Sequence, residues 1–206
     1  MPRTSRFIAT NAFYHIISRS LNDTHILRDN DDFTRFFMLV DTAKQKYPIL
    51  IFHYVAMNTH FHLVVQAPNH EILSKNISHL KWHYTLWMRK KYGWKGPLWK
   101  ERYKSLPIEN ENYLYACGMY IAYNPVRAGV CKDPGDYPYS SFRKYHRGIN
   151  DPLIDLQESQ KGDSHLSEQW DFRSNLLKNI FSHSSAIGST LFIEKLKQPR
   201  NACPQK

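Results

Sequence analysis

Residues 57–65 read Met-Asn-Thr-His-Phe-His-Leu-Val-Val, a short apolar run that carries two histidines one residue apart. If this run is a β-strand, side chains two positions apart point to the same face. His60 and His62 then project together, while the apolar residues between and after them face the other way. One face would belong to the core and the other would carry chemistry. The alternative is that the histidines only mark the solvated side of a half-buried strand.

Hydrophobic periodicity on either side of this strand predicts a β-α-β-β-α-β order. The predicted strands cover residues 13–18, 49–56, 60–67 and 97–106, and the predicted helices cover residues 31–46 and 71–91. The second strand is a near-continuous apolar run, which is typical of a central strand covered on both faces. The order predicts an α+β fold of the ferredoxin-like split βαβ type, with a central antiparallel sheet and helices on one face.

A further helix is predicted after the fourth strand, within residues 113–130. It should end near Asn124, because Pro125 disfavours the helical region for the residue before it. Tyr120 then lies in the last turn, one turn before Asn124, so a tyrosine and an amide share one face. Packing is the ordinary role of a helical tyrosine, and three further tyrosines lie in the same stretch.

Composition indicates a folded protein with a polyanionic partner. The 206 residues carry a net charge of +10, and residues 1–150 hold 21 Lys and Arg against 11 Asp and Glu, so the whole excess lies there. Nucleic acid is favoured over a membrane surface, because no basic amphipathic anchor with a clear apolar face is visible. A merely soluble basic surface is the alternative.

The amino terminus lacks the apolar segment of a signal peptide, and no apolar stretch is long enough to span a membrane. The three cysteines are an odd number without metal-binding spacing, which indicates reduced thiols. A soluble, cytoplasmic protein is therefore expected.

Three more segments complete a pattern. Residues 96–105 read Gly-Pro-Leu-Trp-Lys-Glu-Arg-Tyr-Lys-Ser, residues 124–130 read Asn-Pro-Val-Arg-Ala-Gly-Val, and residues 136–141 read Asp-Tyr-Pro-Tyr-Ser-Ser. Together with the His-Phe-His run and Tyr120, these segments resemble the REP-associated tyrosine transposases, within the single-tyrosine HUH endonuclease superfamily of insertion-sequence transposases. The similarity extends from Phe13 to about Tyr145. The sequence departs from the family pattern at Ser20-Leu21, Asn58-Thr59, Lys100 and Tyr139.

The resemblance implies the ferredoxin-like fold and a specific chemistry. Tyr120 would attack single-stranded DNA, form a covalent 5′-phosphotyrosine and free a 3′ hydroxyl. His60 and His62 would bind a divalent metal with Asn124 as the third ligand, a mixed nitrogen and oxygen set that suits Mg²⁺ or Mn²⁺. The other histidines considered in this domain are interpreted as structural or incidental: His15, His53 and His70.

Substrate contact is predicted on residues 75–104, which hold nine Lys and Arg, one acidic residue and four of the five tryptophans. Basic side chains between aromatic rings suit a single strand, because the cations follow the phosphates and the rings stack on bases. Trp82 and Trp87 are expected to pack the long helix instead. The predicted DNA-binding residues are Trp99, Lys100, Arg102, Lys104 and Arg127.

The sequence thus predicts a metal-dependent, transposase-like endonuclease that cleaves and rejoins single-stranded or hairpin DNA, as a monomer or a homodimer. One alternative is a nucleic-acid-binding protein that has lost the chemistry and acts as a repressor or RNA binder. Another is a metal hydrolase without a covalent step, whose activity would survive the loss of Tyr120.

Two parts of the chain are predicted. Residues 1–147 form the catalytic domain, and residues 148–206 form a polar connection with a small helical appendage. Helices are expected over residues 172–180 and 186–196. The appendage either packs on the domain or forms a helix-turn-helix reader of duplex DNA.

Overall fold

The computed structural model describes residues 10–155 and 186–197. At its centre is a four-stranded sheet in the order β2-β3-β1-β4, in which every neighbouring pair is antiparallel. The strands are β1 (Ala12–Arg19), β2 (Leu50–Met57), β3 (His60–Ala67) and β4 (Lys104–Ile108), and the crossover helices are α1 (Asn30–Lys46) and α2 (His70–Tyr92). The predicted ferredoxin-like β-α-β-β-α-β arrangement is confirmed.

The alternation along β3 separates the two faces of the sheet as predicted. Phe61, Leu63 and Val65 are buried in the core that α1 and α2 complete. His60 and His62 project from the opposite face, because successive side chains of a strand alternate. Val64 belongs to a second, smaller core on that opposite face.

Side-chain caps fix where α1 and α2 begin. The carboxylate of Asp29 accepts from the backbone N–H of Asp32 at 3.0 Å, and the Asn69 amide oxygen accepts from the N–H of Ile72 at 2.9 Å. Such caps each stabilise a helix by about 1 kcal/mol. α2 ends at Gly93, whose φ of 62° lies in the left-handed region that glycine adopts without strain.

A buried carboxylate joins the two crossover helices. Asp32 of α1 is fully buried and accepts hydrogen bonds from Trp87 Nε1 at 3.0 Å, Lys91 Nζ at 3.0 Å and the Tyr92 hydroxyl at 2.8 Å. Burial alone would raise the pKa of Asp32, but the hydrogen bonds from Trp87 and Lys91 hold it below its ordinary value. The carboxylate therefore ties the first turn of α1 to the end of α2.

The opposite face of the sheet is covered by α3 (Glu111–Ala122), which begins at the Asn110 cap and packs on β2 and β3. Leu114, Cys117 and Ile121 form the small core there. The short helix α4 (Asn124–Arg127) follows directly.

Gly118 is a position where α3 lies very close to the sheet. It lies against the ring of His53, which is 4% exposed and is also in contact with Tyr115 of α3 and Tyr145. Burial lowers the pKa of His53 to about 3, with a smaller contribution from the charge of His146. His53 is therefore a neutral core residue, consistent with its structural interpretation.

The second strand is buried on both faces, but the prediction that it is central was wrong. β2 lies at the edge of the sheet, and later segments of the chain cover its free edge. Ala56 N–H donates to the Tyr139 carbonyl at 2.9 Å, and Asp155 N–H donates to the Ile51 carbonyl at 2.8 Å. An apolar run indicates that a strand is buried. It does not show whether the edge of that strand is covered by a neighbouring strand or by a loop.

The fourth strand is shorter and later than predicted, since β4 begins only at Lys104. The preceding residues form an extended crossing over the end of β1, where Trp99 bridges Ser20 and the Lys100 N–H donates to the Arg19 carbonyl at 3.0 Å. Lys100 therefore lies at the end of the sheet that also carries His60, the cross-strand partner of Arg19.

The described residues beyond 147 pack on the domain. Helix α5 (Phe142–Arg147) precedes Leu153 and Ile154, which are buried in the main core. Ile187 is fully buried, and its backbone bonds to Pro107 and Glu109 at the end of β4. The division at residue 147 stays a prediction.

The helix predicted over residues 186–196 is found as α6 (Thr190–Lys197), and the one over residues 172–180 lies outside the described residues. In the described part of the chain, no helix is both long and apolar enough to cross a membrane.

Candidate functional site

The two histidines of β3 lie side by side on one face of the sheet. His62 pairs with Ile17 of β1 and Val55 of β2, so neighbouring strands flank it, and its side chain is buried. His60 lies at the start of the strand, opposite Arg19, and is half-buried. Their ring centres are 5.2 Å apart.

Each of the two rings is held through its Nδ1 atom. Thr59 Oγ1 lies 2.9 Å from Nδ1 of His60, and Nε2 of His15 lies 2.8 Å from Nδ1 of His62. Among the described residues, no hydrogen bond engages the Nε2 atom of His60 or His62. Both Nε2 atoms are therefore available to a ligand.

Burial keeps these rings neutral. It lowers the pKa of His62 well below its usual range, and the nearby charges of His15, His60, Arg127 and Arg19 add to the effect. The pKa of His60 falls to about 4, again chiefly through burial. A metal binds the neutral imidazole, so both rings are in the form that ligation requires at neutral pH.

Tyr120 lies in the last turn of α3, as predicted, and Arg127 folds back onto it. Arg127 Nη2 donates to the Tyr120 carbonyl at 2.7 Å, and its guanidinium carbon lies 4.3 Å from the centre of the Tyr120 ring. The charge of Arg127 also lowers the pKa of His62. One guanidinium thus contacts Tyr120 and lies close enough to His62 to lower its pKa.

Asn124 is the first residue of α4, because the chain bends at Tyr123 between the two helices. Its Nδ2 donates to the Ile121 carbonyl at 3.0 Å. This bond fixes the amide and leaves Oδ1 as an acceptor.

The donor types suit a divalent cation with open positions. Two neutral imidazoles with available Nε2 atoms come from β3, and an amide oxygen comes from α4. Within residues 10–155 and 186–197, no group of three or more His, Cys, Asp and Glu side chains is arranged to hold a metal. The assignment of His60, His62 and Asn124 as metal ligands stays a prediction.

The predicted contact residues before and in β4 differ in accessibility. Lys100, Arg102 and Lys104 are exposed. Trp99 is half-buried; its Nε1 lies 3.2 Å from the Lys81 carbonyl and 3.1 Å from Thr85 Oγ1. The basic residues are therefore free to meet a polyanion, while Trp99 is tied to α2. Their role in binding stays a prediction.

The two helix tryptophans behave differently from each other. Trp87 packs against the core and donates to Asp32, as expected. Trp82 is 59% exposed, so the expectation that it packs the helix was wrong.

Sequence reasoning interpreted His15 as structural or incidental and did not connect it with the histidine pair. In the structure His15 is buried and bonded to His62. The alternation of β1 would have put His15 on one face of the sheet. The pairing of β1 with β3 was needed to bring it to the histidine pair.

Comparisons with known proteins agree with this architecture. The family model described as "Transposase IS200 like" matches residues 8–124, more than half of the chain. A Haemophilus influenzae protein assigned as a REP-associated tyrosine transposase is 30% identical over 111 residues, which cover 48% of this chain and 62% of the relative. The match thus spans less than two thirds of the relative's length.

A solved structure of a REP-associated tyrosine transposase bound to a REP hairpin superimposes with a TM-score of 0.62. The match covers 76% of this chain and 93% of the solved one, at 21% sequence identity. This likeness supports the fold.

Proposed function

The chain belongs to the IS200-like transposase family, and on this premise we propose that it cleaves and rejoins single-stranded or hairpin DNA through a covalent bond to Tyr120. The observation that carries the proposal is the packing of the helix that holds Tyr120 on the strand that holds the histidine pair. β3 supplies two neutral histidines with available Nε2 atoms, α3 supplies a tyrosine, and Arg127 of α4 contacts that tyrosine and lowers the pKa of His62.

In the proposed reaction the Tyr120 hydroxyl oxygen attacks the scissile phosphorus. A bond forms between that oxygen and phosphorus, and the bond from phosphorus to the 3′ oxygen breaks. The phenol proton passes to solvent, and the departing 3′ oxygen takes up a proton. The product is a 5′-phosphotyrosine and a free 3′ hydroxyl. Attack by another 3′ hydroxyl reverses the step and rejoins the strands without a separate energy source.

His60, His62 and Asn124 are the residues that would hold Mg²⁺ or Mn²⁺. When bound, the ion supplies Lewis-acid stabilisation of charge on the scissile phosphate. The protein itself supplies fixed ligand rings, because Thr59 and His15 engage their Nδ1 atoms.

Arg127 is the protein group best placed to act on the same phosphate. Its guanidinium stays charged under all ordinary conditions and offers several donors. It is exposed, yet anchored to the Tyr120 carbonyl. A phosphate approaching the Tyr120 hydroxyl would meet this cation, which favours the extra negative charge of the transition state.

The substrate is expected to be single-stranded or hairpin DNA. Lys100, Arg102 and Lys104 present exposed positive charge near the end of β1. Cations of this kind follow a phosphate backbone without reading its sequence. The solved relative was bound to a REP hairpin, which makes a hairpin the first substrate to test. The enzyme is expected to act in the cytoplasm, as a monomer or a homodimer.

The test is cleavage of a labelled, hairpin-bearing single strand drawn from repeats that flank the gene. Wild type, Tyr120→Phe and the matched control Tyr113→Phe are compared with Mn²⁺ or EDTA. We expect a denaturation-resistant protein–DNA adduct in wild type and the control. The adduct should require metal and be absent from Tyr120→Phe.

Other results would assign a different function. Metal-dependent cleavage that persists in Tyr120→Phe would exclude the tyrosine nucleophile and indicate a hydrolase. Tight hairpin binding by wild type without any cleavage, over a panel of flanking repeats, would indicate the nucleic-acid-binding alternative.

A further inference from the structure

β1 contributes a buried histidine, His15, which is not among the residues proposed to contact metal or DNA. His15 is 1% exposed, and its Nε2 lies 2.8 Å from Nδ1 of His62. The two ring planes differ by 18° and their centres are 5.1 Å apart. With one nitrogen of each ring in hydrogen-bond contact, this is an edge-to-edge pair of imidazoles joined through a single proton.

That shared proton has two positions, and they are not equivalent for ligand binding. Both rings are buried, and a neutral imidazole carries one N–H. If His15 Nε2–H donates, the proton of His62 lies on its Nε2, which cannot then bind a metal. If His62 Nδ1–H donates, the Nε2 lone pair of His62 is free.

The neighbouring ligand ring is arranged in a matching way. Thr59 Oγ1 contacts Nδ1 of His60 at 2.9 Å, so both histidines of β3 are held at Nδ1 and both offer Nε2. A histidine that binds metal usually donates its other N–H to a protein acceptor, which fixes the tautomer and the ring orientation. For His62, the group within hydrogen-bond distance of Nδ1 is Nε2 of His15.

We propose that His15 is a positioning residue, which accepts the Nδ1 proton of His62 and so presents its Nε2 lone pair to the divalent metal. The inference rests on the proposed metal-dependent function. It extends that function by one residue that touches neither metal nor DNA. It also explains why a buried strand position otherwise suited to an apolar side chain holds an imidazole.

A spectroscopic test addresses the tautomer without metal or substrate. Two-bond ¹H–¹⁵N correlation spectra of the metal-free chain at pH 7.5 distinguish Nδ1–H from Nε2–H imidazoles. His62 is expected as the Nδ1–H tautomer in wild type. In His15→Phe its ring should lose this single tautomer. An Nε2–H tautomer for His62 in wild type would overturn the proposal.

A binding test uses Mn²⁺ alone, followed by calorimetry, with thermal melts to show that each variant is folded. His15→Phe, which fills the site but accepts no proton, should bind Mn²⁺ at least about tenfold more weakly than wild type. His15→Gln, which keeps an acceptor oxygen, should recover part of the affinity. His79→Phe makes the same substitution on α2 and should bind like wild type.

The outcomes separate the two hypotheses. Equal Mn²⁺ affinity in wild type and His15→Phe would overturn the role of His15 and leave the metal site intact. A wild type that binds no Mn²⁺ would overturn the metal site, and the role of His15 with it. The tyrosine adduct is measured independently of both.

Discussion

Gly118 sets the distance between the helix that carries Tyr120 and the sheet that carries the histidine pair. A Cβ at residue 118 would lie 2.5 Å from Cε1 of His53, and closer still to its Cδ2 and Nε2 atoms. Carbon atoms in contact prefer about 3.5–4.0 Å, so Gly118→Ala requires a separation of about 1 Å. The ring of His53 contacts Tyr115 and Tyr145, which leaves it little room to turn.

The expected energy follows from two opposing effects. Overpacking of a buried site costs about 1–3 kcal/mol, and replacing a helical glycine by alanine returns about 0.5–1 kcal/mol. The two ranges leave a net cost of about 0–2.5 kcal/mol, so Gly118→Ala should lower the free energy of unfolding by about 1 kcal/mol, which for a chain of this size lowers Tm by about 3 °C. Tyr120 follows two residues later, and a shift of about 1 Å at a nucleophile slows the reaction about a hundredfold.

The assays are thermal melting by circular dichroism and the rate of adduct formation on a labelled hairpin. The control is the double variant with His53→Ala, which removes the ring that the new methyl group would meet. In the His53→Ala background, Gly118→Ala should cost at least about 1 kcal/mol less than it does in the wild-type background. A Gly118→Ala protein that melts above wild type, or strictly additive effects in the double variant, would refute the steric argument.

Three further predictions concern stability and binding. The pKa of His53 is about 3 in the folded state and about 6.5 when unfolded, so its contribution to stability is complete above pH 6.5 and is lost as the pH falls toward 3. Lowering the pH from 7.5 to 5 should therefore cost about 2 kcal/mol of stability through His53. The urea midpoints at these two pH values should differ less in His53→Leu than in wild type. An equal difference in the two proteins would contradict the burial of a neutral His53. Asp32→Ala leaves buried hydrogen-bond donors unpaired and should lower the free energy of unfolding by about 3 kcal/mol. At the exposed Asp31, the same substitution should change it by less than about 0.5 kcal/mol. Similar denaturation midpoints for the two variants would argue against the buried network. Arg102→Glu should weaken oligonucleotide binding, and the dependence of affinity on salt concentration should fall by the amount of about one phosphate contact. Lys46→Glu, at the far end of the sheet, should have neither effect. An affinity of Arg102→Glu equal to wild type at two salt concentrations would remove Arg102 from the contact surface.

Local patterns predicted most of the architecture. The alternation of β3 separated its apolar side chains from His60 and His62, and the periodicity of α1 and α2 matched the structure closely. These features depend on neighbours within a few positions of the chain, so the sequence carries them directly. α3 ends at Ala122, close to the predicted end near Asn124, but Asn124 itself begins the next helix, so the effect expected of Pro125 on the residue before it is not what ends α3.

Predictions that needed knowledge of a distant partner were less successful. β2 has the composition of a central strand but lies at an edge, since the segment after Tyr137 covers it. Trp82 was expected to pack the long helix but is exposed. Trp99 was expected to contact DNA, but its indole is hydrogen-bonded to α2. The composition of a segment indicates how buried it is on average, and the packing of other elements decides which of its side chains remain accessible.

The sequence by itself determined the order of elements, the histidine pair and the helix that carries Tyr120, because each depends on short-range periodicity or on a local motif. The tertiary structure alone decided what surrounds them. His15 is 47 residues away from His62 along the chain and in hydrogen-bond contact with it. Arg127 meets Tyr120 only through the bend between α3 and α4. Such contacts arise from strand pairing and helix packing, which bring together groups whose spacing in the sequence has no regular period.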